Sequence, residues 1–186
     1  GTVKATKQAK INITDKDDST VTDESNNLFL IRGSTTMTQP SAAGERLIVN
    51  STYYVNWTKT GIYSPTDLVK IEYNMNDGNW TSTWSNVLNS SGNAIDASTG
   101  SFPWTVPDDL SPNVKVKLTR LADAINVPAA ISPQIKIVGS ITVTAPPQGA
   151  KWLVNETNYI QWQRQGSIAN VSLFYSTDGG GNWTFI

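Results

Sequence analysis

Cysteine and histidine are both absent from the 186 residues, and charged residues make up only 16% of them. Without those two residue types there is no Cys or His zinc site, no disulfide framework, no cysteine nucleophile and no Ser-His-Asp triad. The 14 Lys and Arg balance 15 Asp and Glu to a net charge of −1, so nothing electrostatic favours nucleic acid or an anionic membrane. Long hydrophobic runs are missing too. The strongest, Leu28-Phe29-Leu30-Ile31, falls far short of the roughly 20 residues that span a bilayer as a helix. Residues 1–20 are polar, carry Lys4, Lys7, Lys10 and Lys16, and lack the pattern of a secretory signal. No stretch of about 12 residues has a helical stripe; only Asp108–Leu110 is expected to make a single turn. Trp is plentiful at 7, and Ser and Thr together fill 40 positions. Low charge with much Ser, Thr, Asn and Gly points to an extracellular or cell-surface setting.

The most informative feature is internal repetition. Arg46-Leu47-Ile48-Val49-Asn50 to Tyr54-Val55-Asn56-Trp57 reads against Lys151-Trp152-Leu153-Val154-Asn155 to Tyr159-Ile160-Gln161-Trp162 at an offset of 105. Val69–Tyr73 matches Val171–Tyr175, and Asn79-Trp80-Thr81 matches Asn182-Trp183-Thr184. Upstream, Ala9–Thr14 resembles Val114–Thr119 at 105, and Phe29–Ser34 resembles Ile135–Ser140 at 106. The phase makes 1–34 the end of a preceding unit, 35–140 a complete unit and 141–186 the start of a following one. The expectation is a segment of a longer tandem array, or a protomer whose half-units are completed by neighbours.

Within the complete unit apolar residues alternate with polar ones, so one face of each strand meets a core. Tyr53, Val55 and Trp57 alternate in this way, as do Val69, Ile71 and Tyr73, Val114, Val116 and Leu118, and Ile135 and Ile137. Asn76-Asp77-Gly78 and Asp178-Gly179-Gly180-Gly181 supply turns between strands. Pro40, Pro103, Pro107, Pro112 and Pro146 fall where a missing N–H is tolerated. Seven or eight strands in about 105 residues suits an immunoglobulin-like β-sandwich. Trp57 and Trp104 are the expected core plugs, each able to bury roughly 200 Å².

The block Gly100-Ser101-Phe102-Pro103-Trp104-Thr105-Val106-Pro107-Asp108, running on to Asn113–Leu118, carries a resemblance, as does Pro146–Trp152 followed by Ile160-Gln161-Trp162 and Tyr175–Gly180. They resemble the tandem immunoglobulin-like or fibronectin-III-like repeats of large secreted bacterial and archaeal surface proteins, and are similar to the Ser/Thr-rich KNH-type domains of cell-wall proteins. The resemblance implies an all-β fold of tandem β-sandwich units and a spacer or scaffold role; it brings no catalytic residues. Ser176–Trp183 is also similar to the Asp-box of sialidase-like propellers, with Asn182 where Thr is usual. A propeller, however, repeats every ~40–50 residues.

Candidate sites follow. Asp and Glu are scattered at turns, and no Gly-rich phosphate loop joins a strand to a helix, so catalysis is not expected. Asp15, Asp17, Asp18 and Asp23 form an acidic loop with Glu24, a weak calcium candidate; its spacing is not that of an EF-hand, and the corresponding loop, Arg120–Ala130, keeps only Asp123. Sequons stand at Asn12, Asn50, Asn56, Asn79, Asn89, Asn155, Asn170 and Asn182, candidate glycosylation sites where the source has the enzyme; Asn56 is expected to face solvent. Trp80, Trp84 and Trp152 are the candidate ligand-stacking aromatics. Two functions are in play. One is a structural extracellular repeat protein, from a filament, sheath, S-layer-like coat or adhesin stalk, associating with itself or with neighbouring units by β-strand addition. The other is a carbohydrate- or protein-binding accessory module of a secreted enzyme. Neither involves nucleic acid or membrane insertion.

Overall fold

The computed structural model describes residues 6–61, 67–75, 84–87, 94–121 and 128–186. The protein is all-β. Its strands are β1 (Thr6–Ala9), β2 (Asn12–Thr14), β3 (Thr22–Glu24), β4 (Phe29–Ile31), β5 (Ser34–Gln39), β6 (Arg46–Ile48), β7 (Thr52–Thr60), β8 (Leu68–Asn74), β9 (Ser85–Asn86), β10 (Ile95–Asp96), β11 (Ser101–Thr105), β12 (Ser111–Arg120), β13 (Ala130–Ile131), β14 (Ile135–Val138), β15 (Ser140–Ala145), β16 (Gln161–Gln165), β17 (Phe174–Tyr175) and β18 (Thr184–Phe185). Among the described residues the turn expected at 108–110 is absent. A 3-10 turn lies at Ala97–Thr99, where Asp96 accepts the Ser98 amide and Gly100 closes it at φ 66°.

Two sheets contribute to one core between residues 34 and 138. The first runs β10-β8-β12-β14-β6, with β9 on β8 and β13 on β12; the second runs β11-β7-β5. Alternation builds the interior: on β12, Val114, Val116 and Leu118 are fully buried, while Lys115, Lys117 and Thr119 between them are half-buried. Val55, Trp57 and Trp104 of the second sheet join Val69, Ile71, Ile135, Ile137 and Leu47 of the first. Trp57 and Trp104 are 3% and 4% exposed, as the plug reading requires. The Trp57 indole N–H is satisfied by the Ala97 carbonyl at 2.9 Å, and the Trp104 ring lies 5.2 Å from that of Tyr73.

Pairing at both ends of the chain copies pairing in the middle. Thr6 faces Ile31 and Ala9 faces Phe29; 105 and 106 positions on, Ser111 faces Ile137 and Val114 faces Ile135, with the same intervening irregularity. Thr35 faces Lys59 and Met37 faces Trp57; Ile141 faces Arg164 and Val143 faces Trp162. Backbone conformations recur as well. Asn50 and Asn155 are the two non-glycine residues with positive φ among those described, at 60° and 68°, and Gly44 and Gly149 take 77° and 78°. Asn tolerates the left-handed region better than most residues. The cis bonds Gln39–Pro40 and Ala145–Pro146 also stand 106 residues apart.

Candidate functional site

Among the described residues no three or more carboxylates come together as a group that could hold a metal ion. The acidic loop between β2 and β3 is organised by its own backbone: Asp15 accepts the amides of Asp17 and Asp18 at 2.8 and 3.2 Å. Asp18 accepts the Thr20 hydroxyl and amide at 2.6 and 2.9 Å, and the hydroxyl bond chiefly holds its carboxyl below the ordinary aspartate range. Asp23 sits exposed on β3. The Asp-box-like turn between β17 and β18 works in the same way. Asp178 accepts Ser176 Oγ at 2.6 Å and the Asn182 amide at 2.8 Å, which holds it far below the usual range. Each of these carboxylates is a turn cap, which satisfies backbone donors that would otherwise compete for water.

Of the sequons, Asn12, Asn50, Asn155, Asn170 and Asn182 are exposed. Asn56 is half-buried, with its side-chain oxygen accepting Ser101 Oγ at 2.7 Å, because β11 lies alongside β7. It lies on the face of β7 away from buried Val55 and Trp57, partly covered by that neighbour. Asn79, Asn89 and Trp80 lie outside the described residues. The stacking candidates are not brought together: Trp84 is half-buried with the Lys117 ammonium 4.2 Å from its ring centroid, whereas Trp152 is 48% exposed and lines a cleft elsewhere.

That cleft is lined almost wholly by apolar side chains. It measures about 680 Å³ and is walled by β15, β16 and the 171–175 segment, with Trp152, Trp162 and Trp183 among its lining. Several of its lining residues, Trp152, Ile160, Trp162, Val171, Leu173 and Tyr175, match by sequence Leu47, Val55, Trp57, Val69, Ile71 and Tyr73 of the core of 34–138. Trp57 is 3% exposed and its counterpart Trp162 37%; Tyr73 is 8% and Tyr175 48%; Val69 is 0% and Val171 38%. In the central block those positions share one core with residues of both sheets, and β12 pairs the edge of β8 from Lys115↔Asn74 to Arg120↔Val69.

Three arrangements were not anticipated from sequence. Arg120, fully buried, donates to both carboxylate oxygens of buried Asp67 at 2.8 and 2.5 Å and to the carbonyls of Thr60 and Gly61 at 3.1 and 2.8 Å. Lys59 adds a second cation 3.3 Å from Asp67. The alternation that buries Val114, Val116 and Leu118 continues to 120, so the signal was present in the spacing. Second, a joint forms where β14 passes through Gly139 alone into β15. Asp108 accepts the Ser167 amide and hydroxyl at 2.8 and 2.5 Å, chiefly the hydroxyl holding its carboxyl low. A Cβ on Gly139 would stand 2.5 Å from the Gln165 carbonyl oxygen, and one on Gly33 would overlap the matching Thr60 carbonyl. Third, Tyr73 donates to Asp109 at 2.6 Å; burial first and that bond second push the phenol up to about 12. No family model matches the chain, and no curated protein matches it either.

Proposed function

We propose that the chain is a structural repeat protein of the cell exterior, part of a filament, sheath, S-layer-like coat or adhesin stalk. Its repeating element is an immunoglobulin-like β-sandwich of about 105 residues, with 35–140 as a complete unit, 1–34 as the end of one and 141–186 as the start of another. The observation that carries this reading is the recurrence of strand register at offsets of 105 and 106 on both sides of the central block. Two features favour a mechanical role. Each junction passes through a glycine pressed against a carbonyl, and the second is clasped by Asp108 and Ser167. A connection this short makes a semi-rigid rod of stacked units. Asp18, Asp96 and Asp178 cap turns, Asp108 makes the clasp and Glu72 pairs with Lys70 and Lys117 across the sheet, which fits a chain whose polar groups serve its architecture. Partners are then further copies or neighbouring units; no metal or other cofactor is required.

Small-angle scattering tests the reading. A compact globule of this length has a radius of gyration near 16 Å; the rod predicts a value above roughly 20 Å with an elongated distance distribution, and a value near 16 Å contradicts it. The accessory-module reading draws on one observation, the exposure of Trp152 and Trp183 at 48% and 64%. It predicts polysaccharide binding that Trp152→Ala abolishes.

A further inference from the structure

We propose that the outer face of the β5-β7-β11 sheet is a docking surface for an uncharged polysaccharide. The inference goes beyond the structural-repeat reading and does not rest on it. It stands on three strands of the central block and needs neither end of the chain.

Alternation along these strands separates two sets of side chains. Val55, Trp57 and Trp104 turn into the core. The outward set on β7 is Thr52, Tyr54, Asn56, Thr58 and Thr60. Beside them β5 and β11 place only Ser, Thr and one proline, Pro103. None of these outward residues is charged. The other sheet of the same core is the reverse. Lys70 and Glu72 on β8, Lys115 and Lys117 on β12 and Lys136 on β14 lie on its outer face. Lys70 and Lys117 both reach Glu72, at 2.8 and 2.9 Å. The block therefore has one charged face and one uncharged face. The bias is repeated in the sequence of the following unit. The positions 105 residues on from the β7 set are Thr157, Tyr159, Gln161, Gln163 and Gln165. Hydroxyls give way there to amides and not to charges.

The uncharged face keeps bonding capacity to spare. Ser101 Oγ donates to the Asn56 side-chain oxygen at 2.7 Å, which leaves the Asn56 Nδ2 donors unused by that bond. The Ser34 and Thr60 hydroxyls bond each other at 2.8 Å, and one of the two protons remains to be given outward. Among the described residues the hydroxyls of Thr36, Tyr54 and Thr58 make no protein hydrogen bond. The Tyr54 ring, 57% exposed, lies beside Pro103. A neutral sugar polymer is the complement of such a surface: its hydroxyls both give and take hydrogen bonds, and the C–H faces of its rings stack on an aromatic. Other occupants fit worse. Nucleic acid, an acidic polymer or an anionic headgroup needs cations, and this face has none. A protein partner needs a cluster of apolar and aromatic anchors, whereas Tyr54 and Pro103 stand among hydroxyls. At about 3.4 Å per residue, the nine residues of β7 offer a track about 30 Å long, which suits an extended chain. The contact is solvated, so single sites should bind weakly and an insoluble polymer, dense in sites, is the sensitive probe.

Adsorption of the 186-residue chain to cellulose, chitin and curdlan, all insoluble and uncharged, tests this. At least one of them should deplete the chain from solution, equally at about 50 and about 500 mM salt, because no ion pair is involved. Tyr54→Ala and Thr58→Lys should each weaken adsorption about fivefold or more. Both side chains lie outside the core, so the urea midpoint should stay close to that of the parent, and a fall in adsorption then reports the face and not the fold. Lys136→Ala, on the charged face, and Trp152→Ala, in the cleft, should leave adsorption unchanged. Absence of adsorption to all three polymers, its loss at high salt, or indifference to both Tyr54→Ala and Thr58→Lys overturns the assignment. Loss of adsorption through Trp152→Ala would move the binding to the cleft and overturn it as well. Scattering on the same chain tests the rod separately, so failure of the structural-repeat reading is distinguishable from failure of this one.

Discussion

Replacing Asp67 with Ala should be the most damaging single polar change in the central block. Arg120 has no exposed side-chain surface and Asp67 has 3%. Removing the carboxylate leaves a buried guanidinium with the Thr60 and Gly61 carbonyls but without a counter-charge, a loss of about 3–5 kcal/mol in comparable buried pairs. The reverse change, Arg120→Met, should cost less, about 1–3 kcal/mol, because Lys59 remains 3.3 Å from Asp67 to balance its charge, although the bonds to Asp67 and to the two carbonyls are lost. The double variant Asp67→Leu with Arg120→Met should recover much of the loss, since a well-packed apolar pair often equals a buried ion pair. Urea unfolding followed by tryptophan fluorescence reads all three. With a slope near 2 kcal/mol/M, Asp67→Ala should lower the midpoint by roughly 2 M and Arg120→Met by about 1 M. If Asp67→Ala costs under about 1 kcal/mol, or no less for Arg120→Met than for Asp67→Ala, the pair is not the buried, asymmetric network described.

Acid should loosen the second joint. The Asp108 carboxyl is held low by Ser167, so its contribution is fully present above the ordinary aspartate value and is lost as pH falls through the lowered one. The protection of the Ser167 amide, taken against the intrinsic exchange rate at each pH, should therefore fall below about pH 4 and stay flat from pH 5 to 8. Gly139→Ala should disturb the same joint, since its methyl would meet the Gln165 carbonyl and the Ile168 side chain at 2.5 and 2.8 Å; overpacking of this kind costs about 1–3 kcal/mol, read as a shift in the scattering profile with the central unfolding transition preserved. Trp57→Ala should remove about 3–5 kcal/mol and should abolish the near-ultraviolet circular dichroism of the central core.

Much of the fold was legible because strand alternation is a local signal. Val55, Trp57, Val69, Ile71, Val114, Val116, Leu118, Ile135 and Ile137 were all expected inside and are all buried. Asn50 and Asn155, 105 positions apart, both take the left-handed conformation that Asn tolerates. Other features depend on distant partners. Nothing near Asp108 announces Ser167, 59 residues away. Asn56 alternates correctly but is half-covered by Ser101 of β11, because flanking side chains on a sheet's outer face can still bond to a neighbouring strand. The helical turn was placed at 108–110, where local composition favours it, yet Asp96 and Gly100 cap it at 97–99. Trp152 is expected beside Trp80 and Trp84, but its neighbours in the cleft come from segments up to 31 residues along the chain, which no local spacing brings together.

Force–extension measurement of the chain held by its two ends tests the central claim most directly. If residues 34–138 form one mechanical unit, unfolding should appear as one dominant event that releases close to 350 Å, about 105 residues at roughly 3.4 Å each less the folded length of the block. A gradual extension with no such event, or one step releasing about 600 Å as all the residues unfold together, would contradict it.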